Sequence, residues 1–256
     1  MIPLKEQEAI RQKFAQELTG PVKMDFFTER ELALEVPGRK PCAYCKPSRE
    51  MLQELAGLSD LISLRVHILE DGPEEAKTFG VERIPATVLR GRGSASFLFY
   101  GMPGGTEFPA FIESLVDISR GEVLLSDESV KALRKLKEDV TVRVFVTPTC
   151  PYCPQMARAA YQLALANAKV HAEVIEVNEF PELAERYGVR AVPLTVIADR
   201  VAIPGAVHEQ VLVEQVLKAA QSAVSERPEA GGPTTPAARE EEPRRGEQRP
   251  SGLIIP

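Results

Sequence analysis

Three features are missing from this sequence of 256 residues. It has no apolar run long enough to span a bilayer, and its first residues lack the basic stretch and apolar core of a secretory signal. Lys and Arg total 31 against 37 Asp and Glu, a net charge of -6, so there is no excess positive charge to attract nucleic acid. We therefore expect a cytoplasmic protein that binds neither membranes nor nucleic acid.

Cysteine is also scarce, with four in the chain. All four lie in two Cys-x-x-Cys motifs, Cys42–Cys45 and Cys150–Cys153, and each motif has Tyr as its third residue. In the cytoplasm stable disulfides are unusual, and cysteines tend to be catalytic or to bind metal.

The two motifs belong to an internal repeat. Pro85 and Pro193 each follow the first cysteine of their motif by 43 residues, and each begins a run rich in β-branched residues. The same offset of 108 residues superposes the Gly-Val pairs at 80–81 and 188–189. We interpret the chain as a duplicated unit whose halves meet near residues 119–121, which predicts domains at 1–120 and 121–225.

The order of elements indicates an α/β fold in each half. In the second half, the pattern predicts helices at about 126–137, 150–164, 181–187 and 208–224, and strands at 140–146, 170–177 and 194–198. The first half repeats this order with about ten extra residues, Glu29 to Lys40, which we expect to shape the rim of the first site. Residues 226–256 are rich in Pro, Gly, Glu and Arg and predict a disordered tail.

Two cysteines three residues apart at a helix N-terminus can perform thiol-disulfide exchange. The first faces solvent, where free backbone N–H groups and the helix dipole favour its thiolate, and the second lies inside the first turn. This predicts Cys42 and Cys150 as nucleophiles and Cys45 and Cys153 as resolving thiols. Three basic residues would add positive potential around the first nucleophile: Arg39, Lys40 and Lys46.

Each matched proline allows two interpretations. A proline can simply begin a strand. Alternatively, a cis peptide bond presents the backbone of the preceding residue to a bound substrate. Because the two prolines recur at one offset, we predict cis bonds and substrate contacts at Ile84, Pro85, Val192 and Pro193.

Several segments resemble known redox proteins. Residues 149–153 resemble the glutaredoxin active site, and residues 188–196 resemble the cis-proline segment of thioredoxin-fold proteins. Residues 99–108 and 119–121 are similar to the end of the first half in two-domain, glutaredoxin-like protein disulfide oxidoreductases of thermophilic prokaryotes. The resemblance covers about residues 1–224.

This resemblance implies two tandem thioredoxin-like folds, each a central mixed sheet flanked by helices. It implies an enzyme that reduces, forms or isomerises protein disulfides through its own redox-active cysteines, without a separate cofactor. A flavoprotein reductase is the implied electron donor, with glutathione as the alternative. Thioredoxin-like sites often use a buried carboxylate as proton acceptor, and the candidates by position are Asp25, Glu29, Glu31 and Glu176.

The rival interpretation is a noncatalytic scaffold that binds partners or zinc. Structural zinc sites usually place their two cysteine pairs some 15–20 residues apart, whereas these pairs are separated by a whole domain. We therefore predict no metal. A carboxylate near a strand end is more often simply solvated, and the three histidines are scattered, which favours surface or core roles.

Overall fold

The computed structural model describes residues 2–31 and 41–225. The rest of the insertion, residues 32–40, and the predicted tail, residues 226–256, lie outside the described residues. In chain order the elements are α1 (Leu4–Glu17), β1 (Val22–Thr28), α2 (Cys45–Ala56), β2 (Ile62–Ile68), α3 (Pro73–Thr78), β3 (Ala86–Arg90), β4 (Ser96–Tyr100), α4 (Glu107–Arg120), α5 (Asp127–Leu133), β5 (Val140–Val146), α6 (Cys153–Ala166), β6 (Val170–Glu176), α7 (Pro181–Arg186), β7 (Leu194–Ile197), β8 (Val201–Pro204) and α8 (Glu209–Ser225).

Local sequence explains where α5 begins. The Ser126 hydroxyl accepts a hydrogen bond from the backbone N–H three residues on, as an N-cap does. The helix ends at Leu133, four residues before the predicted end at Lys137. The N–H groups of Lys135 and Leu136 instead bond to carbonyls three residues back, and this tighter turn ends the α-helical pattern.

The strand predictions differ from the structure mainly near the end of the second half. β7 stops at Ile197, because Ala198 and Asp199 adopt left-handed backbone conformations with φ of 51° and 56°. These two residues turn the chain into β8, which the sequence did not predict. β8 has four residues and is defined by its antiparallel pairing with β7.

The eight strands in the described part of the chain form one sheet with the order β2-β1-β3-β4-β6-β5-β7-β8. Each half contributes four strands in the same relative order. The halves join where β4 pairs in parallel with β6, from Phe97 opposite Ala172 to Tyr100 opposite Ile175. The chain up to Ser225 is one compact unit, so a division into two domains at residues 120 and 121 stays a proposal.

Helices cover both faces of the sheet. The larger apolar cluster contains residues of α2, α4, α6 and α8, and the smaller one contains residues of α3 and α7. Successive strand residues alternate between them, so Phe26 and Val144 lie in the first cluster and Phe27 and Phe145 in the second. This mixed sheet flanked by helices confirms the predicted thioredoxin-like fold.

The sheet places both cysteine motifs at the same edge. β1 and β4 are both antiparallel to β3, and β4, β6 and β5 are parallel, so β1 and β5 run in the same direction. Their carboxyl ends, from which the chain continues to Cys42 and Cys150, therefore lie at one edge. Four strand spacings separate β1 from β5, which is roughly 19 Å.

Candidate active sites

The first cysteine pair lies at the start of α2. Cys45 is the first residue of the helix and is 4% exposed, whereas Cys42 precedes the helix and is half-buried. The two form a disulfide with Cα atoms 5.4 Å apart. The N–H of Cys45 donates to the carbonyl of Cys42 at 3.4 Å. This difference in exposure supports Cys42 as the attacking thiol.

The second pair has the same arrangement at the start of α6. Cys150 and Cys153 form a disulfide with Cα atoms 5.5 Å apart. Here the N–H of Cys153 donates to the sulfur of Cys150 at 3.2 Å. A donor aimed at this sulfur stabilises negative charge on it, as a thiolate nucleophile requires.

Cys150 is less open than the sequence suggested. It was expected to face solvent, yet it is 8% exposed in this disulfide form, while Cys153 is fully buried. The loop before it is covered by the first half, since Thr106 donates its hydroxyl to the carbonyl of Cys150 at 2.9 Å and its N–H to the carbonyl of Pro148 at 2.8 Å.

Both predicted X-Pro bonds, Ile84-Pro85 and Val192-Pro193, are cis, which confirms this prediction. The carbonyl oxygen of Val192 lies 3.6 Å from the sulfur of Cys150. Within residues 2–31 and 41–225, the N–H groups of Ile84 and Val192 have no hydrogen-bond partner. These two N–H groups are therefore available to pair with another chain.

Of the four predicted carboxylates, Glu29 alone contacts a cysteine motif in the described part of the chain. Its Oε1 accepts a hydrogen bond from the N–H of Cys42 at 2.7 Å. Glu31 pairs with Arg49 at 2.6 Å. Two of the predicted basic neighbours, at 39 and 40, lie outside the described residues, and the third, Lys46, is exposed on α2.

The other two candidates are buried in local networks of their own, so they are not simply solvated. Asp25 binds His67 at 2.9 Å and Arg90 at 3.0 Å. Glu176 accepts hydrogen bonds from Asn178 and from the N–H of Glu179, and burial raises its pKa. Among the described residues, none of these contacts connects either carboxylate to a cysteine.

A buried acid that the sequence analysis missed is Glu107, the first residue of α4. It is 1% exposed, its Oε1 has no hydrogen-bond partner among the described residues, and burial raises its pKa to about 7. It follows Thr106, which binds the backbone of Cys150. Burial raises the pKa of Tyr161 on α6, and the charge of Glu107 raises it further. No local signal separates such a residue from an ordinary solvated acid in a first helical turn.

Two tyrosines flank the sites on the outside. Tyr44 and Tyr152 precede the second cysteine of each pair and are 43% and 63% exposed. Their rings give each site an apolar rim that a partner chain can contact. Among the described residues, no group of three or more His, Cys, Asp or Glu is placed to hold a metal ion, and none of the helices is long and apolar enough to cross a membrane.

Two dithiol centres at helix N-termini, each followed by a cis-proline loop, define a thioredoxin-fold redox protein. Sequence comparisons with known proteins support this assignment. The family model described as "Thioredoxin domain" matches residues 140–218. A thioredoxin from Methanocaldococcus jannaschii is 38% identical over 81 residues, which is 31% of this chain and 94% of that protein. The chain therefore belongs to the thioredoxin family.

Longer similarities reach across both halves. The structure of a protein disulfide oxidoreductase from Aeropyrum pernix superposes with a TM-score of 0.75 at 26% identity, covering 86% of this chain and 94% of that one. A component of the alkyl hydroperoxide reductase of Xanthomonas campestris is 26% identical over 150 residues, which is 57% of this chain but 26% of that protein. These matches confirm the resemblance to disulfide oxidoreductases, and the chain is a thiol-disulfide oxidoreductase.

Proposed function

We propose that the substrates are protein disulfides and dithiols, with Cys42 and Cys150 as nucleophiles and Cys45 and Cys153 as resolving thiols. One observation carries the assignment. The Cys150 sulfur receives the N–H of Cys153 and lies 3.6 Å from the backbone of Val192, while Cys153 is fully buried. The attacking sulfur is thus the one placed beside a surface where a substrate chain can bind.

In the reducing direction, the thiolate of Cys150 attacks one sulfur of a substrate disulfide. The substrate S–S bond breaks, a bond forms between Cys150 and the substrate, and the other substrate sulfur leaves as a thiolate. Cys153 then loses its proton and attacks the Cys150 sulfur, which forms the Cys150–Cys153 disulfide and releases the second substrate thiolate. The same steps in reverse form a disulfide in the substrate. Cys42 and Cys45 act in the same way at the first site.

The cis-proline loops supply the binding surface. The unpartnered N–H groups of Ile84 and Val192 can pair with an extended substrate segment as a short β-ladder. Hydrogen bonds hold these two loops in place. The carbonyl of Pro85 accepts the N–H of Gly101 at 2.9 Å, and the carbonyl of Pro193 accepts the N–H of Gly205, which follows β8, at 2.8 Å. Backbone pairing carries little side-chain selectivity, which suits an enzyme that acts on several protein substrates.

Glu107 is the proposed proton acceptor for the resolving thiol of the second site. A resolving cysteine must lose its proton in a covered environment before it can attack. A carboxyl group with a pKa of about 7 can accept a proton near neutral pH. Glu107 begins α4, and the ion pair of Asp117 with Arg158 at 2.8 Å joins α4 to α6, the helix that begins at Cys153.

The proposed electron donor is a flavoprotein reductase in the cytoplasm. The similarity to part of an alkyl hydroperoxide reductase component supports a donor of this class. A glutathione-dependent enzyme is the alternative, and the two donors can be supplied separately in an assay. The protein is proposed to need no metal or cofactor, because all four cysteines are already paired as two redox-active disulfides.

The test is reduction of a disulfide-linked protein such as insulin, with dithiothreitol as the electron donor. We expect activity from the wild-type chain and from C42S, which retains the second site, and loss of activity in a C42S/C150S chain. C153S should accumulate a mixed disulfide at Cys150 that mass spectrometry detects. A C42S/C150S chain as active as the wild type would disprove the assigned roles.

A further inference from the structure

The two active sites differ at the hydrogen bond that fixes the nucleophilic cysteine. In the second site, the N–H of Cys150 donates to the backbone carbonyl of Thr147 at 3.2 Å. In the first site, the N–H of Cys42 donates to the carboxylate of Glu29 at 2.7 Å. A neutral acceptor in one half is replaced by a charged one in the other.

Glu29 and Thr147 occupy equivalent positions in the repeat. Corresponding residues of β2 and β6 are 108 positions apart in the sequence. Asp25 of β1 and Arg143 of β5 pair with corresponding residues of these two strands, so Asp25 corresponds to Arg143. Corresponding residues of β1 and β5 are therefore 118 positions apart. Applied to Glu29, the offset of 118 gives Thr147. The ten additional residues are the insertion after β1. They separate the backbone of Glu29 from Cys42. The Glu29 side chain therefore accepts the N–H of Cys42, whereas in the second half the backbone carbonyl of Thr147 accepts the N–H of Cys150.

A second difference acts in the same direction. The first N–H of α6, from Cys153, points at the sulfur of Cys150, whereas the first N–H of α2, from Cys45, points at the carbonyl of Cys42. The Cys150 thiolate therefore receives a backbone donor that the Cys42 thiolate does not receive from the equivalent residue. Donors to a thiolate stabilise it, and a nearby carboxylate destabilises it.

We propose that Glu29 is a positioning residue that makes the first site the more reducing of the two, because its carboxylate holds the N–H of Cys42 while disfavouring the Cys42 thiolate. The sulfur lies three bonds from that nitrogen, which puts it within about 4–6 Å of the carboxylate, the range over which a like charge opposes ionisation. A less stable thiolate shifts the equilibrium from dithiol to disulfide. The inference rests on the proposed role of Cys42.

Other charges around the first site bear on this effect. The described elements that carry the motif and the cis-proline loop bear further charges, among them Lys46 and Arg49 on α2, Glu31 after β1, and Glu82 and Arg83 before Pro85. Arg49 is paired with Glu31, and Arg83 with Glu82. Glu31 is the matched control, because it is the same residue type, follows the same strand and binds an arginine instead of the cysteine motif.

The experiment compares E29Q with E31Q in the full-length chain carrying C150S and C153S, so that Cys42–Cys45 is the one redox pair. Gln at position 29 keeps a side-chain oxygen that can accept the N–H of Cys42 and removes the charge. The fully reduced protein is alkylated with iodoacetamide across pH 5 to 9, and peptide mapping gives the rate at Cys42. We expect E29Q to raise this rate about threefold at mildly acidic pH, with the pH midpoint shifted downward, and E31Q to match the parent.

A second readout follows the redox equilibrium. In buffers of fixed reduced and oxidised glutathione, two glutathione thiols reduce the disulfide and become oxidised glutathione. E29Q should leave a smaller fraction of Cys42–Cys45 as disulfide than the parent does. Equal alkylation profiles for E29Q and E31Q, or slower alkylation of E29Q, would overturn the proposal.

Two further measurements separate this inference from other failures. E29Q in the chain with both sites intact should leave Cys150 alkylation unchanged, which shows that the fold is preserved. Alkylation and glutathione equilibration need no protein substrate. They therefore give a result even if the reduction of a protein disulfide fails and the proposed function with it.

Discussion

Gly105 of the first half lies against Pro148 of the second half so closely that position 105 has no room for a side chain. A Cβ atom there would stand 2.1 Å from the carbonyl oxygen of Pro148, and the backbone φ of Gly105 is 58°. The next residue, Thr106, donates hydrogen bonds to the carbonyls of Pro148 and Cys150. The second active site is thus supported by a loop of the first half.

Replacing Gly105 should damage the second site selectively. G105A places a methyl group against the Pro148 carbonyl and adds the strain of a left-handed residue, about 1–2 kcal/mol before the clash is counted. We expect lower thermal stability and slower turnover through Cys150 in a C42S/C45S chain. G93A is the control, since a Cβ at Gly93 meets nothing within 4 Å. Equal effects of the two substitutions would contradict this account.

Thr106 should contribute through its hydroxyl. T106V keeps the size of the side chain but removes the donor to the Cys150 carbonyl, which lowers the free energy of unfolding by about 0.5–1.5 kcal/mol. T106S retains the hydroxyl and should stay close to wild type. Chemical denaturation gives the stability, and alkylation of Cys150 shows whether the loop has moved. If T106S loses as much as T106V, packing of the methyl group is the main contribution instead.

Glu107 should make stability depend on pH. Burial raises its pKa in the folded chain from 4.5 to about 7, so the folded state holds a proton that the unfolded state releases. The free energy of unfolding should therefore fall as pH rises from about 4.5 to about 7 and level off above that range, by up to about 3 kcal/mol. Denaturant unfolding at a series of pH values measures this slope.

E107Q should flatten that pH dependence in part. A remainder is expected from Glu179, whose pKa burial also raises to about 7. E113Q is a control on the same helix, where the carboxylate is more exposed and paired with Lys13. An unchanged pH slope in E107Q would show that the Glu107 carboxyl is not the group that titrates.

The thiols should react in a fixed order within each pair. In the fully reduced protein at mildly acidic pH, iodoacetamide should modify Cys42 faster than Cys45 and Cys150 faster than Cys153. The second cysteine of each pair is the more deeply buried one, and a helix N-terminus favours the thiolate of the first. Peptide mapping after brief alkylation reads the order directly. Preferential labelling of Cys45 or Cys153 would reverse the assigned roles.

The sequence alone determined the repeat, the two cysteine motifs, the cis-prolines and most of the element order. These features depend on residues close together in the chain or on a spacing that recurs. Cys42 and Pro85 could be matched with Cys150 and Pro193 because both pairs are 43 residues apart. The N-cap at Ser126 could be read because capping involves one turn of chain.

Only the tertiary structure decided which residues from elsewhere in the chain contact each cysteine motif. The pairing of β4 with β6 brings Gly105 and Thr106 to the loop of the second cysteine motif, more than 40 residues further along the chain. The same is true of Glu29, whose side chain reaches Cys42 from the other end of the insertion. Local patterns record the periodicity of one helix or strand. Contacts of this kind depend on which elements pack together, and packing is fixed by the whole core.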